Sequence, residues 1–391
     1  MDTIIEALTV LKHRLQQFPP QINPSLFSGN SGLALLYWSW YKHTKDKDLL
    51  QLASTAIGVS FDNLDTIAQD PSLADGYTGL AWLLRFLDQQ KLLEIPDQRL
   101  IEAIDSGILQ HMYDDFKEGN YDPLYGFLGT ATYLRHRSHD EDAAYLEDVT
   151  DAIKGLAIQE PTGTAWKDVF STPQQPFYNL GLSHGTPGII VFLAQQLRLN
   201  PNNQAISGLL EQACAWLLQQ EKPLDYSLYP TAAGQQEASR LGWSFGDAGV
   251  AWALASAAQA LSSTRLKAQA LRVALHAASR DINNAHMVKY GNGLTDAGFC
   301  NGSAGAACMF RALNSYLPHP ALEQATNYWL TVCIDTVIGL QQQPLEFKPE
   351  AQFSTWMNDY SLIKGLSGTA LALLSFLEDG PKDWLPLFMI Q

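Results

Sequence analysis

The chain has 391 residues, of which 46% are apolar and only 17% are charged. This balance excludes a disordered or low-complexity protein and leaves enough length to bury a large core. The formal net charge of −15 argues against nucleic acid and anionic membranes as partners, because both require clustered lysine and arginine.

Three features of the sequence favour the cytoplasm. The N-terminal residues, MDTIIEALTVLKHRLQQF, alternate acids, bases and apolar residues at helical spacing and lack the apolar run of a signal peptide. No apolar stretch approaches the ~18 residues that a membrane span requires. The cysteines have no disulfide-framework spacing, so we expect reduced thiols at all of them: Cys214, Cys300, Cys308 and Cys333.

A Gly-x-x-Gly motif recurs seven times, and each copy leads into an apolar segment of helical length. In chain order the glycine pairs are Gly29 and Gly32, Gly76 and Gly79, Gly126 and Gly129, Gly185 and Gly188, Gly246 and Gly249, Gly302 and Gly305, and Gly365 and Gly368. Successive first glycines are 47 to 63 residues apart, which leaves room for two helices in each interval. Seven copies at near-regular spacing predict an internal repeat.

The segments after the glycines differ in polarity from those between them. GLAWLLRFL (79–87) and GIIVFLAQQL (188–197) are apolar nearly all round, as enclosed helices are, whereas AISGLLEQACAWLLQQ (205–220) is amphipathic. No stretch shows sustained period-two alternation, so we expect few strands. Polar capping repeats, which an open solenoid needs, are not recognisable. We therefore predict an all-α fold, an α/α toroid (barrel) of seven helical-hairpin repeats and about fourteen helices, in a single domain covering residues 1–391.

In such a toroid the inner helices would all begin at one mouth, and the residues before the glycines would surround it. The partial positive charges of seven helix N-termini would favour anionic species there, such as a thiolate or an enolate. Chemically active side chains stand before four of the pairs: Asp122 in the third copy, His184 in the fourth, Arg240 and Ser244 in the fifth and Cys300 in the sixth.

Three of these motifs resemble those of the lanthionine synthetase C-like family. They are LSHGTPG (182–188), WSFGDAG (243–249) and FCNGSAG (299–305), where the family has His-Gly-x-x-Gly, Trp-Cys-Tyr-Gly and Cys-His-Gly. The resemblance extends over the whole chain through the seven repeats. It implies an α/α toroid and, from the family's bacterial cyclases, the addition of cysteine thiols of a precursor peptide to dehydroalanine or dehydrobutyrine. It also implies a zinc ion, held by two cysteines and a histidine, that activates the substrate thiol.

The resemblance assigns six residues to the site. His184 corresponds to the family's acid/base histidine, Asp122 to its aspartate, and Arg240 is the third catalytic candidate. The substrate-binding candidates are Trp243, Phe245 and Cys300. For some of them a structural interpretation stays open: Asp122 as the cap of a turn, Trp243 as a core residue and Cys300 as an inert buried thiol. Cys308 is expected in the core.

The zinc positions implied by the family fall on Ser244, Cys300 and Asn301, of which only Cys300 keeps the ligand type. A protonated hydroxyl and a neutral amide do not provide the thiolate and imidazole donors that select zinc. We therefore expect no zinc and no other cofactor.

The sequence supports several functions. The first is a lanthionine synthetase C-like enzyme that forms thioether rings in a dehydrated ribosomal precursor peptide, either zinc-independent or catalytically impaired. The second is a non-catalytic pseudoenzyme that binds the precursor peptide or scaffolds a complex of a lanthipeptide dehydratase and a cyclase. A Cys300–His184 dyad for acyl or thiol transfer is a third. The last, a glycosidase, needs two opposed carboxylates, for which only Asp122 and Asp247 are available.

Overall fold

The computed structural model describes residues 2–19, 21–93, 98–172, 174–344, 355–380 and 382–390. These residues form fourteen α-helices and one short antiparallel hairpin, in which Ile158 lies opposite Ala165. The helices are α1 (Asp2–Gln16), α2 (Asn30–Thr44), α3 (Lys47–Asp62), α4 (Tyr77–Gln89), α5 (Gln98–Glu118), α6 (Phe127–Arg137), α7 (Asp142–Gly155), α8 (Thr186–Leu199), α9 (Gln204–Leu218), α10 (Asp247–Ala260), α11 (Thr264–Ala278), α12 (Ser303–Tyr316), α13 (Pro320–Gly339) and α14 (Leu366–Leu374), and the strands are β1 (Ile158–Glu160) and β2 (Gly163–Ala165). The predicted all-α class is confirmed.

The even-numbered helices are enclosed, and the odd-numbered helices cover them from outside. In α10 every residue from Asp247 to Ala258 is buried, whereas α11 buries a single stripe that includes Leu266 and Val273. This difference is the one that the polarity of the segments predicts. In the described part of the chain no helix is both long and apolar enough to cross a membrane.

The helix pairs close into a ring. Each even-numbered helix from α2 to α12 packs against the odd-numbered helix that follows it, which gives six hairpins. Helix α14 packs against α1 instead, and it also contacts α2. The toroid is therefore confirmed, with the correction that its seventh pair is made from the two ends of the chain.

The glycine pairs hold neighbouring repeats together. Each inner helix begins one residue after the first glycine, so the second glycine lies in the first helical turn rather than ahead of the helix. A Cβ on any of the first glycines would lie 2.1 to 2.6 Å from the carbonyl oxygen of the residue six positions earlier. A Cβ on Gly79 would lie 2.7 Å from Cβ of Leu26 in the preceding repeat. The same contact joins Gly32 to Leu362 of the last repeat, at 3.0 Å, so the motif itself closes the ring.

The C-terminal segment, residues 382–390, packs inside the ring. The Phe388 ring contacts that of Phe299, with centroids 4.0 Å apart. Nε1 of Trp243 donates to the carbonyl oxygen of Phe388, and Nε1 of Trp252 donates to that of Met389, both at 2.8 Å. These bonds satisfy two buried indole N–H groups and fix the segment against the fifth repeat.

Candidate functional site

The loops before the inner helices meet at one mouth, where main-chain hydrogen bonds join them. In these loops the residue two positions before the first glycine donates its N–H to the carbonyl oxygen of the residue at the same position in the next loop. The bonds run from Phe27 to Ala74, from Ala74 to Leu124, from Ser183 to Ser244, from Ser244 to Cys300, from Cys300 to Ile363 and from Ile363 to Phe27, with N···O distances of 2.9 to 3.5 Å. The remaining step, between the third and fourth loops, is made by side chains.

Asp122 and His184 make that step. The N–H groups of Leu124 and Tyr125 donate to Oδ1 of Asp122, at 2.8 and 2.9 Å. The second carboxylate oxygen, Oδ2, lies 2.7 Å from Nδ1 of His184. Asp122 therefore caps its own loop, as one interpretation of the sequence has it, and also holds the histidine of the next loop.

The equivalent position in other loops shows what the carboxylate adds. The first, second and seventh loops have serine there, and the hydroxyl oxygens of Ser72 and Ser361 each accept an N–H from three residues further on. A serine is thus sufficient to cap the loop, and the aspartate provides a second acceptor for the next loop. Asp122 is completely buried, whereas 22% of the His184 side chain is exposed. Because an ionised carboxylate can only accept, the neutral imidazole of His184 in this bond has its proton on Nδ1 and its lone pair on Nε2.

Two aromatic side chains that the sequence reasoning missed flank His184. The Tyr125 ring stacks at 6.3 Å with planes 8° apart, and the Phe170 ring meets the imidazole edge-on at the same distance. Phe170 is 64% exposed, and the hydroxyl of Tyr125 donates to Asp75 at 3.2 Å. Tyr125 could have been found from its position directly before Gly126. Phe170 lies in the connection between β2 and α8, outside the repeat, so no motif pointed to it.

A hydrogen-bonded chain links the fourth, fifth and sixth loops. Oγ of Ser183 lies 2.6 Å from Oγ of Ser244, and the Ser244 hydroxyl hydrogen-bonds the thiol of Cys300. Burial raises the pKa of Cys300 to about 11, and the bond from Ser244 opposes this shift only in part. The thiol is therefore protonated near neutral pH.

The positions that correspond to the family's zinc ligands do not fit zinc. Cys300 is a buried thiol that keeps its proton, the Ser244 hydroxyl is engaged by its two neighbours, and Asn301 offers only a neutral amide. Over the residues that the structure describes, no three His, Cys, Asp or Glu side chains are grouped so that they could hold a metal ion. The donor set thus disagrees with the zinc that the resemblance implies.

The fifth loop differs from the other six in its backbone. Those six have asparagine or aspartate six residues before the first glycine, where the fifth has Arg240. Gly246 has a φ of +94°, which glycine adopts readily, while the equivalent glycines lie between −106° and −134°. Arg240 is half-buried, and its charge acts on Cys300 in the sixth loop. Phe245 is also half-buried and packs on the fourth loop. A Cβ added to Gly181 of that loop would lie 2.7 Å from the Phe245 ring.

Trp243 does not lie at the mouth, so its assignment to substrate binding needs correction. It is fully buried, and its indole is bonded to the C-terminal segment. It stands three residues before the first glycine, where the first, second, fourth and seventh loops place a buried leucine: Leu26, Leu73, Leu182 and Leu362. The alternative interpretation of Trp243 as a core residue is the one that the structure shows.

The remaining candidates are placed as follows. Cys308 is buried in α12, as expected, and all four cysteines are free thiols. His184 binds Asp122 and the Cys300 thiol binds Ser244, so each member of the alternative Cys300–His184 dyad has a different partner. Asp247, the second carboxylate that a glycosidase would need, is fully buried and accepts main-chain N–H bonds from residues 228 and 229.

Comparison with known proteins identifies relatives by family and by fold. The family model of lanthionine synthetase C-like proteins matches residues 20–389. No curated protein matches the sequence. Among solved structures, a nisin cyclase is similar with a TM-score of 0.72 and 16% identity, over 99% of this chain and 96% of that chain. An unsaturated glucuronyl hydrolase from Bacillus sp. GL1 has 13% identity and a TM-score of only 0.42, over 97% of each chain.

Proposed function

Because the chain belongs to the lanthionine synthetase C-like family, we propose that it forms thioether rings in a dehydrated ribosomal precursor peptide, without zinc. The substrate would carry dehydroalanine or dehydrobutyrine made by a lanthipeptide dehydratase, in the cytoplasm. The observation that carries the proposal is the bond between His184 and the buried Asp122 at the mouth, with His184 partly exposed.

In this reaction the thiol of a peptide cysteine adds across the carbon–carbon double bond of the dehydroamino acid. The sulfur–carbon bond forms at the β-carbon, the double bond becomes single, and a proton arrives at the α-carbon. Nε2 of His184 takes the thiol proton and then delivers it to the α-carbon, while Asp122 holds the ring and stabilises its charged form. A positioned base of this kind contributes roughly 10²–10⁴-fold, which suits an acceptor that is already electrophilic.

Other groups at the mouth stabilise the anionic species of this reaction. The N-termini of seven inner helices carry partial positive charge and favour the thiolate and the enolate. Arg240 adds a full positive charge beside the sixth loop. Phe245 and Cys300 would contact the peptide, and Trp243 supports them from the core by fixing the fifth loop to the C-terminal segment.

The test uses a dehydrated model peptide with one cysteine and one dehydroalanine. Free thiol is counted over time with the protein, with a His184→Ala variant and without protein. We expect loss of thiol to be fastest with the unmodified protein and the product to contain a thioether. Equal rates in the three samples would refute catalysis.

A second function, the non-catalytic pseudoenzyme, is favoured by a specific observation. Among the described residues there is no metal-binding cluster, and the Cys300 thiol is protonated. Such a protein would bind the precursor peptide, or bring a dehydratase and a cyclase together, without forming rings. Binding of a precursor leader peptide with no thioether product would support this alternative and would exclude the first.

A further inference from the structure

A cavity of about 190 Å³ lies inside the ring between α6 and α8. At one end it is lined by Pro123, the residue after Asp122, and by Gly188 in the first turn of α8. At the other end it is lined by Arg135 and His136 on α6 and by Gln195 on α8. The catalytic proposal uses none of these side chains.

Several polar atoms of side chains that line the cavity have no hydrogen-bond partner among the described residues. Nε and Nη2 of Arg135 and Nε2 of His136 are shielded from solvent and unpartnered. Gln195 is only 7% exposed, and among the described residues its amide forms no side-chain hydrogen bond. Buried polar groups in native proteins are nearly always bonded to protein, water or ligand. Unsatisfied atoms on Arg135 and His136, beside the unbonded amide of Gln195 on the same cavity, therefore point to something that occupies it.

The charges around Arg135 favour an anionic occupant, whereas the carboxylate of Asp383 acts on His136 at the same end of the cavity. The Arg135 guanidinium stacks on the Phe192 ring at 4.7 Å, and the charge that acts on it is that of Arg198, which has the same sign. Burial and Arg198 lower the pKa of Arg135 to about 9, so the side chain is still charged at neutral pH. A buried charge is normally paired, since an unpaired one is strongly destabilising.

We propose that this cavity binds a small oxyanion, such as inorganic phosphate or a carboxylate, with Arg135 as its counter-charge. The guanidinium would form charge-assisted bonds to the anion, and its Nε and Nη2 edge, which is closed to solvent in this structure, would turn toward the cavity on binding. The amide of Gln195 and the imidazole of His136 would donate further bonds. The cavity volume of about 190 Å³ is larger than a single water molecule needs and accommodates a small oxyanion.

The experiment measures the midpoint of thermal unfolding against the concentration of phosphate, acetate or chloride at constant ionic strength. For the unmodified protein we expect a saturable rise with phosphate or acetate and none with chloride, because a ligand of the native state stabilises it by mass action. Arg135→Met should raise the midpoint without anion and abolish the rise. Gln195→Leu should weaken the apparent affinity about tenfold. Arg265→Gln, which removes an exposed arginine of α11, should change neither.

Several outcomes would overturn the proposal. No saturable change in the unfolding midpoint of the unmodified protein with either oxyanion would mean that the cavity holds only water. Equal rises in the unmodified protein and in Arg135→Met would mean a general salt effect. If Arg135→Met does not fold, Gln195→Leu decides, and an affinity unchanged from that of the unmodified protein would contradict the proposed site. In contrast, a saturable rise with only one of the two oxyanions would support the proposal and identify the class of anion.

Discussion

Two substitutions at Asp122 separate the two bonds that its carboxylate makes. Asp122→Ala removes the acceptor of two main-chain N–H groups and of His184 together. The N–H of Leu124 is then buried without a partner, at a cost of about 1 to 3 kcal/mol, and the bond to His184 contributes about 1 to 2 kcal/mol more. We expect the free energy of unfolding to fall by about 2 to 5 kcal/mol.

Asp122→Asn keeps Oδ1 for the loop but replaces Oδ2 with an amino group. The amide then donates to Nδ1 of His184, so the imidazole must carry its proton on Nε2 and loses the lone pair that faces the substrate. We expect the stability to fall by only about 1 kcal/mol, while the rate of ring formation falls by about 10²–10⁴-fold. The two properties should therefore respond differently in the two variants.

Urea denaturation followed by circular dichroism measures the stability, and loss of free thiol from the dehydrated peptide measures the rate. Ser72→Ala is the matched control, because Ser72 caps the second loop from the same position and has no histidine to hold. It should cost about 1 kcal/mol and leave the rate unchanged. An asparagine variant as unstable as the alanine variant would contradict the capping role of Oδ1. An asparagine variant with full activity would contradict the role of His184 as a base.

Three other predictions follow. As purified, the protein should hold no stoichiometric zinc. The double variant Ser244→Cys, Asn301→His should bind about one zinc ion per chain, as measured by elemental analysis. Tightly held zinc in the unmodified protein would refute the argument from the donor set. Gly305→Ala should destabilise the ring by at least about 3 kcal/mol, because its Cβ would lie 1.8 Å from a main-chain carbonyl oxygen. Gly58→Ala, with open space around it, should instead stabilise α3 by about 0.5 to 1 kcal/mol. Equal effects of the two substitutions on the urea midpoint would contradict the packing role of the second glycine. Since burial raises the pKa of Cys300 from 9 to about 11, iodoacetamide should modify it at pH 8 about 100-fold more slowly in the native protein than in the unfolded chain. The rate in the native protein should rise as the pH approaches 11. Mass mapping of the modified peptide measures both rates, and equal rates would show a reactive thiolate.

The sequence by itself determined the architecture of this protein. The glycine pairs are local motifs, and each predicts the start of an inner helix within one or two residues because a Cβ at the first glycine cannot fit beside the loop backbone. The apolar segments after them identify the enclosed helices by composition alone. The motifs around His184, Ser244 and Cys300 also carried the resemblance to the family, because they are short and contiguous in the chain.

The tertiary structure decided how distant residues combine. The pairing of α14 with α1 and the packing of residues 382–390 inside the ring join segments that are far apart in the chain, so no periodicity reveals them. Trp243 carries the family motif but faces the core, because its side chain follows the position of the leucines in other loops. The bond between Asp122 and His184 joins the third loop to the fourth, the two neighbouring loops that, among the described residues, no main-chain hydrogen bond between equivalent positions connects. Likewise, the cavity that Arg135 lines lies between α6 and α8, and such a gap depends on packing that the local sequence does not specify.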